Sequence, residues 1–229
     1  MDQPLNEPTY IRIKRAIIAD LVGRAFRPGD HLTIDMLVGR YRVSHMPIRE
    51  ALRQLEGEGL LVSLAHRGFR LKPLSEDYIR NIYDVRVGIE SMLARRAAER
   101  ATAAEISDLR ALHERFVADM QVSDGLVGSR TNTDFHARLY AIAGNPEAEE
   151  ILSGRTRIVR SVGDSFGGYA PAMRDAVISE HERIIEALAA GDAEACGQAV
   201  FDHVTAARDR LIARLRAADH AMFAEDVVG

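Results

Sequence analysis

At 229 residues, 47% hydrophobic and a formal charge of −4, the chain is long enough for two unequal cores, and it holds no apolar run near the roughly 20 residues of a membrane span. A single cysteine, Cys196, excludes an intrachain disulfide, and the opening MDQPLNEPTY lacks the basic-then-apolar pattern of a secretion signal, so a cytoplasmic protein without membrane contact is expected. Residues 1–73 carry 12 Lys and Arg against 8 Asp and Glu, whereas residues 74–229 carry 18 against 26, so only the first part is expected to meet a polyanion.

From Tyr10 to Arg24, Ile13, Ala16, Ile17 and Leu21 recur at helical spacing, and RPGD at residues 27–30 stops the run. Thr33 is the expected N-cap of a short second helix that buries Ile34, Leu37 and Val38 next to Leu32, with a turn over Arg40 to Val43. In SHMPIREALRQLEGEGLL, Ile48, Ala51, Leu52 and Leu55 fall at i, i+3, i+4 and i+7. Ser44 can cap this third helix, Pro47 sits in its first turn, where a missing N–H costs little, and Glu58-Gly59 ends it. LLVSL and FRLKP, separated by AHRG, then predict a two-stranded hairpin with a basic tip. Three helices and such a wing make a winged helix-turn-helix over residues 1–73.

With the apolar face of the third helix buried, His45, Arg49 and Arg53 lie at i, i+4 and i+8 on an exposed flank. The first turn of a recognition helix enters the major groove, where its free N–H groups favour phosphate and an Arg can pair with a guanine edge. Arg67 and Gly68 at the wing tip can approach the minor groove or backbone, the glycine allowing close contact. The alternative is that Arg49 pairs with Glu50, Glu56 or solvent on a plain amphipathic helix.

VSHMPIREALRQLEGEGLL followed by HRGFRL resembles the DNA-binding domain of the GntR family of bacterial transcription regulators. The resemblance spans about 60 residues and implies contacts to double-stranded operator DNA from Ser44, His45, Arg49, His66, Arg67 and Gly68. His45 stands where the family usually carries Arg, and DMLVGRY replaces its usual acidic-Leu-Ala run.

After a linker at Pro73 to Ser75, with Ser75 a candidate N-cap, residues 74–229 read as helix throughout, an all-helical bundle. Ile79, Ile82, Tyr83, Val85, Ile89 and Leu93 form one apolar stripe, and Ile106, Leu109, Leu112 and Phe116 another after Thr102. SFGGYAP is the one glycine-rich break, and it lacks the spacing of a phosphate-binding loop.

Three histidines point inward. His136 shares a face with Asn132, Phe135 and Leu139; His181 lies among Val177, Ile184, Ile185 and Leu188; His203 edges the stripe of Val200, Val204 and Leu211. Any one of them reads first as a core histidine, but three on separate helices, with Asn132 one turn from His136 as an oxygen ligand, form a site for a divalent transition metal such as Zn or Ni. His31, His45, His66, His113 and His220 show no such pattern. A metal with open positions favours an oxygen donor such as a small carboxylate, and a buried Arg can clamp it bidentately. Arg86 and Arg157 are the candidates, although Glu90 could instead neutralise Arg86 one turn along.

YDVRVGIE, NTDFHARLYAIAGNP and EHERIIEALAAGDAEACGQAVFDH resemble the FCD effector domain of the FadR-like subfamily, over roughly residues 78–217. The resemblance implies a metal held by one Asp and three His beside a small acidic effector, and the matching positions here are Asn132, His136, His181 and His203. Many members carry Asp where Asn132 stands, so weaker metal binding is expected, and Asp134 points the opposite way. The whole then reads as a ligand-controlled repressor, not an enzyme, acting as a homodimer on a two-half-site operator. The rival is a metalloenzyme with Glu180 or Glu182 as general base.

Overall fold

The structure is a computed structural model that describes residues 7–23, 25–26, 29–64, 67–72, 75–122, 126–166 and 169–225. Three short helices come first: α1 (Thr9–Val22), α2 (Ile34–Tyr41) and α3 (His45–Gly57). Their stripes interlock, with Ile13, Ile17, Ile18, Leu37, Ile48, Leu52 and Leu55 all buried. Thr33 caps α2 by accepting the Met36 N–H at 3.2 Å. The turn between α2 and α3 is tighter than expected: α2 runs on to Tyr41, and Arg42 reverses the chain at φ 53°, a left-handed conformation that non-glycine residues seldom adopt. Ser44 holds the extended N-cap conformation before α3, but its side chain makes no capping bond.

The wing has three strands where two were expected. β2 (Leu61–Leu64) pairs antiparallel with β3 (Gly68–Leu71), and a two-residue β1 (His31–Leu32) pairs with the other edge of β3, His31 opposite Arg70 and Leu32 opposite Phe69. Two residues are too short to show alternation, and only the fold reveals that this stretch lies beside β3. The hairpin tip at residues 65–66, and with it His66, lies outside the described residues, as do Pro73 and Leu74 of the expected linker.

Six helices follow: α4 (Glu76–Ala98), α5 (Ala103–Val122), α6 (Leu126–Ala143), α7 (Pro146–Ser165), α8 (Pro171–Ala190) and α9 (Ala193–Glu225). Their starts are marked in sequence. Ser75 accepts the Tyr78 N–H at 3.1 Å, Thr102 and Glu105 form a reciprocal capping box, and Asn145 caps α7 with Pro146 in its first turn. α4 lies along α9, fastened by paired Arg95–Glu194 contacts at 3.0 Å and Arg216–Glu76 contacts at 2.6 Å. The stripe predicted on α4 needs one correction: Val85 is exposed, and Arg86 and Glu90 take buried places between Ile82 and Leu93. Among the described residues, no helix is long and apolar enough to cross a membrane.

One hydrophobic cluster runs through both halves, from Ile13 to Ile212. Polar contacts tie the halves at the end of α3: Tyr78 Oη donates to the Gly59 carbonyl at 3.1 Å, and Glu58 lies 2.5 Å from Lys14 Nζ on α1 and 3.6 Å from Arg157 Nε on α7. Glu58 is 5% exposed, so both cations meet a carboxylate largely removed from water.

Candidate functional site

The flank of α3 carries its charges outward because Ile48, Ala51, Leu52 and Leu55 are drawn inward. Arg49 is exposed, and the two carboxylates that could have neutralised it are engaged elsewhere. Glu50 accepts from Arg53 at 3.1 Å and from Gln54 at 3.0 Å, and Glu56 accepts the Ser63 N–H at 3.2 Å. His45 Nε2 lies 3.0 Å from Asp35 Oδ1, which ties the start of α3 to α2. Ser44 and Arg67 are exposed as well.

Gly68 has a structural use beside the DNA contact expected of it. Its φ is +92°, and a Cβ there would lie 2.6 Å from the Leu32 carbonyl oxygen. The glycine therefore lets β1 close on β3.

In the helical half, α6 contributes Asn132, His136 and Tyr140 at i, i+4 and i+8, α8 contributes Glu180 and His181, and α9 contributes His203 and Arg210. His136, His181 and His203 each offer a ring nitrogen, and these three atoms lie within 4.8 Å of one another. His181 is fully buried and His203 is 5% exposed.

The surroundings fix which nitrogens carry lone pairs. Burial raises the Tyr140 pKa well above 10, helped by Glu90, so Tyr140 keeps its proton and donates it to the Glu90 carboxylate. His136 Nδ1, 3.2 Å from the same hydroxyl, must then donate, which leaves Nε2 of the neutral ring as acceptor. Burial pushes the Glu180 carboxyl up, but Arg210 and His203 outweigh it and hold its pKa at about 2. Arg210 pairs with Glu180 through two contacts of 2.7 and 2.8 Å, and His203 Nδ1 donates to it at 2.8 Å. In the neutral ring His203 Nε2 is therefore an acceptor too.

The two acceptors face each other, His136 Nε2 to His203 Nε2, at 3.0 Å. Two lone pairs at that separation repel, and a shared cation, proton or metal, removes the conflict. Nitrogens bound at 2.0–2.1 Å on a tetrahedral zinc lie roughly 3.3 Å apart, close to the spacing here. Both nitrogens of His181 and the Oδ1 of Asn132 are buried without a hydrogen-bond partner among the described residues, a costly arrangement unless they serve as ligands. Burial also holds the His136 and His181 pKa well below 6.5, so both rings are neutral, as ligands must be. Three imidazoles and a carbonyl oxygen fit a divalent transition metal. Asp134 is exposed, away from this cluster.

A cavity of about 480 Å³ opens beside His136 and His203. Tyr83, Tyr169, Leu152, Val159, Met173 and Leu211 form its apolar wall, and Arg86, Arg157, Arg160, Arg210 and Arg214 bring positive charge. Arg86 is not a free clamp. It is buried, its Nε is 2.6 Å from Glu90 Oε1, and it stacks 4.6 Å from the centre of the Tyr83 ring. The pairing with Glu90 was the alternative left open by the sequence. Arg157 is the more available of the two candidates, about half exposed on the cavity wall and, among the described residues, bound only at 3.6 Å to Glu58.

Four orienting roles were missed in the sequence. Tyr140 stands one turn from His136 on α6 and Glu180 on α8 reaches His203, while Glu90 on α4 and Arg210 on α9 hold these two in turn; the i+4 spacing of Tyr140 from His136 was the signal for its role. His113, set aside as patternless, is 8% exposed on α5, with its ring centre 5.7 Å from that of His181.

Residues 9–71 match the family described as bacterial regulatory proteins, gntR family, and residues 81–206 match the FCD domain. The chain is similar to the Nta operon transcriptional regulator of Aminobacter aminovorans, 29% identical over 196 residues that cover 84% of this chain and 90% of that one. It is also similar to the HTH-type transcriptional repressor RspR of Escherichia coli strain K12, 29% identical over 206 residues, covering 88% and 86%. Among solved structures, Lar, which controls the agr system of Listeria monocytogenes, aligns with a TM-score of 0.69 at 16% identity, over 90% of this chain and 97% of that one. McbR/YncC of E. coli aligns with a TM-score of 0.61 at 21% identity, over 93% and 99%. These two likenesses establish the fold alone. The relatives are transcription regulators, which sets aside the metalloenzyme reading. Glu180, one candidate base, is committed to His203 and Arg210, and Glu182, the other, is exposed.

Proposed function

The chain belongs to the GntR family of DNA-binding transcription regulators and carries an FCD domain as its second half, and from that premise we propose a homodimeric repressor whose helical half binds a divalent transition metal, Zn or Ni, beside a small carboxylate effector. Asn132, His136, His181 and His203 would hold the metal. Bound there, the metal would supply Lewis-acidic positions for carboxylate oxygens at the cavity floor. Arg157 adds a second positive group for the same anion.

The facing Nε2 atoms of His136 and His203, with both tautomers dictated by Tyr140 and Glu180, carry this reading. The DNA contacts fall to Ser44, His45, Arg49, Arg67 and Gly68, and to His66, which lies outside the described residues. The exposed Arg49, with its acidic neighbours engaged elsewhere, supports them most directly. Two winged halves in a homodimer match two half-sites one helical turn apart.

Arg157 also offers a route from ligand to DNA. It lines the cavity and reaches Glu58, which directly follows the recognition helix. An anion in the cavity would compete for Arg157, and the effector then favours whichever docking of the winged half binds it better.

Two measurements test the proposal. Protein purified without a tag should contain close to one metal ion per chain, and His181→Ala should lose most of it; unchanged metal content would remove the site. Arg49→Ala should bind a fragment of the protein's own upstream DNA about 10- to 100-fold more weakly, from a lost contact of about 1–3 kcal/mol. Equal affinity for that fragment would overturn the recognition-helix assignment.

A further inference from the structure

His136 and His203 each have a hydrogen-bonded group behind them, Tyr140 and the Glu180–Arg210 pair, and His181 has none among the described residues. Its ring sits in an aromatic box, stacked on Phe135 at 4.2 Å and tilted against Phe116 at 4.9 Å. A neutral imidazole that gives one nitrogen to a metal presents an N–H at the other, and in this box that N–H would be buried without an acceptor. Such a group costs about 1–3 kcal/mol.

A histidine outside the proposed ligand set shares the box. His113 stands edge-on to His181, at 64° with ring centres 5.7 Å apart, and packs 6.2 Å from both Phe116 and Phe135. Its Nδ1 is also buried without a partner. Two imidazoles joined by an N–H···N bond of about 3 Å have centres roughly 5 Å apart, so a ring rotation and a shift of under 1 Å complete the bond. The geometry points to His113 as a positioning residue: in the metal-bound protein its Nδ1 accepts the outer N–H of His181, fixing the tautomer and orientation of the third ligand. This role rests on the metal reading given above. It would give all three histidines an outer partner, drawn from three different helices, α5, α6 and α8.

The test is competition for Zn²⁺ between a chromophoric chelator and the metal-free full-length protein. The proteins are the wild type, His113→Phe, His113→Gln and His136→Ala. His113→Phe keeps an aromatic ring in the box but no acceptor, and affinity should fall about 10- to 100-fold, as for loss of an outer partner. His113→Gln restores an acceptor oxygen and should recover most of that loss. Melting of the metal-free variants verifies that each is folded. Wild-type affinity in His113→Phe would overturn the assignment. Equal weakness of the Phe and Gln variants would also overturn it, because the histidine would then matter only for packing. If the wild type binds no Zn²⁺, or His136→Ala binds as well as wild type, the metal reading fails and the role of His113 falls with it.

Discussion

At the scale of single residues, the histidine cluster is set apart by what its buried atoms lack. Asn132, on the cavity wall, has a buried Oδ1 with no donor to satisfy it among the described residues, and a neutral carbonyl is a weaker ligand than a carboxylate. Asn132→Asp should raise zinc affinity by about tenfold or more, since an anion is added to a neutral donor set. The same competition titration measures it, and a fall in affinity would mean that position 132 does not face the metal. Arg86 shows how one neighbour redirects a side chain. Its guanidinium is buried, and Glu90 one turn along occupies it.

At the scale of elements, the wing depends on one close approach. Gly68 carries φ +92° and leaves no room for a Cβ against the Leu32 carbonyl. Gly68→Ala should lower stability by about 1–3 kcal/mol, by forcing an unfavourable backbone conformation or by parting β1 from β3. Chemical denaturation would show a lower midpoint with an unchanged slope. A variant as stable as wild type would mean that the glycine serves only contact with DNA. Helix α6 shows how an element sets a site: a period of 3.6 residues stacks Asn132, His136 and Tyr140 along one face, so a proposed ligand, His136, and the group that orients it come from one stretch of chain.

At the scale of the whole molecule, Glu58 is the junction. It is 5% exposed, receives Lys14 from α1 and Arg157 from α7, and keeps Oε2 without a partner among the described residues. Removing its charge leaves two cations facing a buried neutral amide, which should loosen the seating of α1 against α7. Glu58→Gln should therefore speed amide hydrogen exchange in α1 and in the facing part of α7 while leaving zinc affinity unchanged. Exchange identical to wild type would show that the apolar cluster alone holds the two halves together.

The sequence by itself determined most of what local periodicity and capping chemistry control. The buried faces of α1, α2 and α3, the caps at Thr33 and Ser75, and the inward placement of His136, His181 and His203 follow from spacings of three and four residues. Tertiary structure decided what depends on neighbours far along the chain. β1 forms because β3 lies beside it, Gly68 is needed because Leu32 is there, and His113 meets His181 because α5 packs on α8. Arg157 joins the cavity to Glu58 across about 100 residues for the same reason. Helical period is written within one turn of sequence, whereas contact between helices depends on how complete elements pack, and the spacing of residues along the chain does not record it.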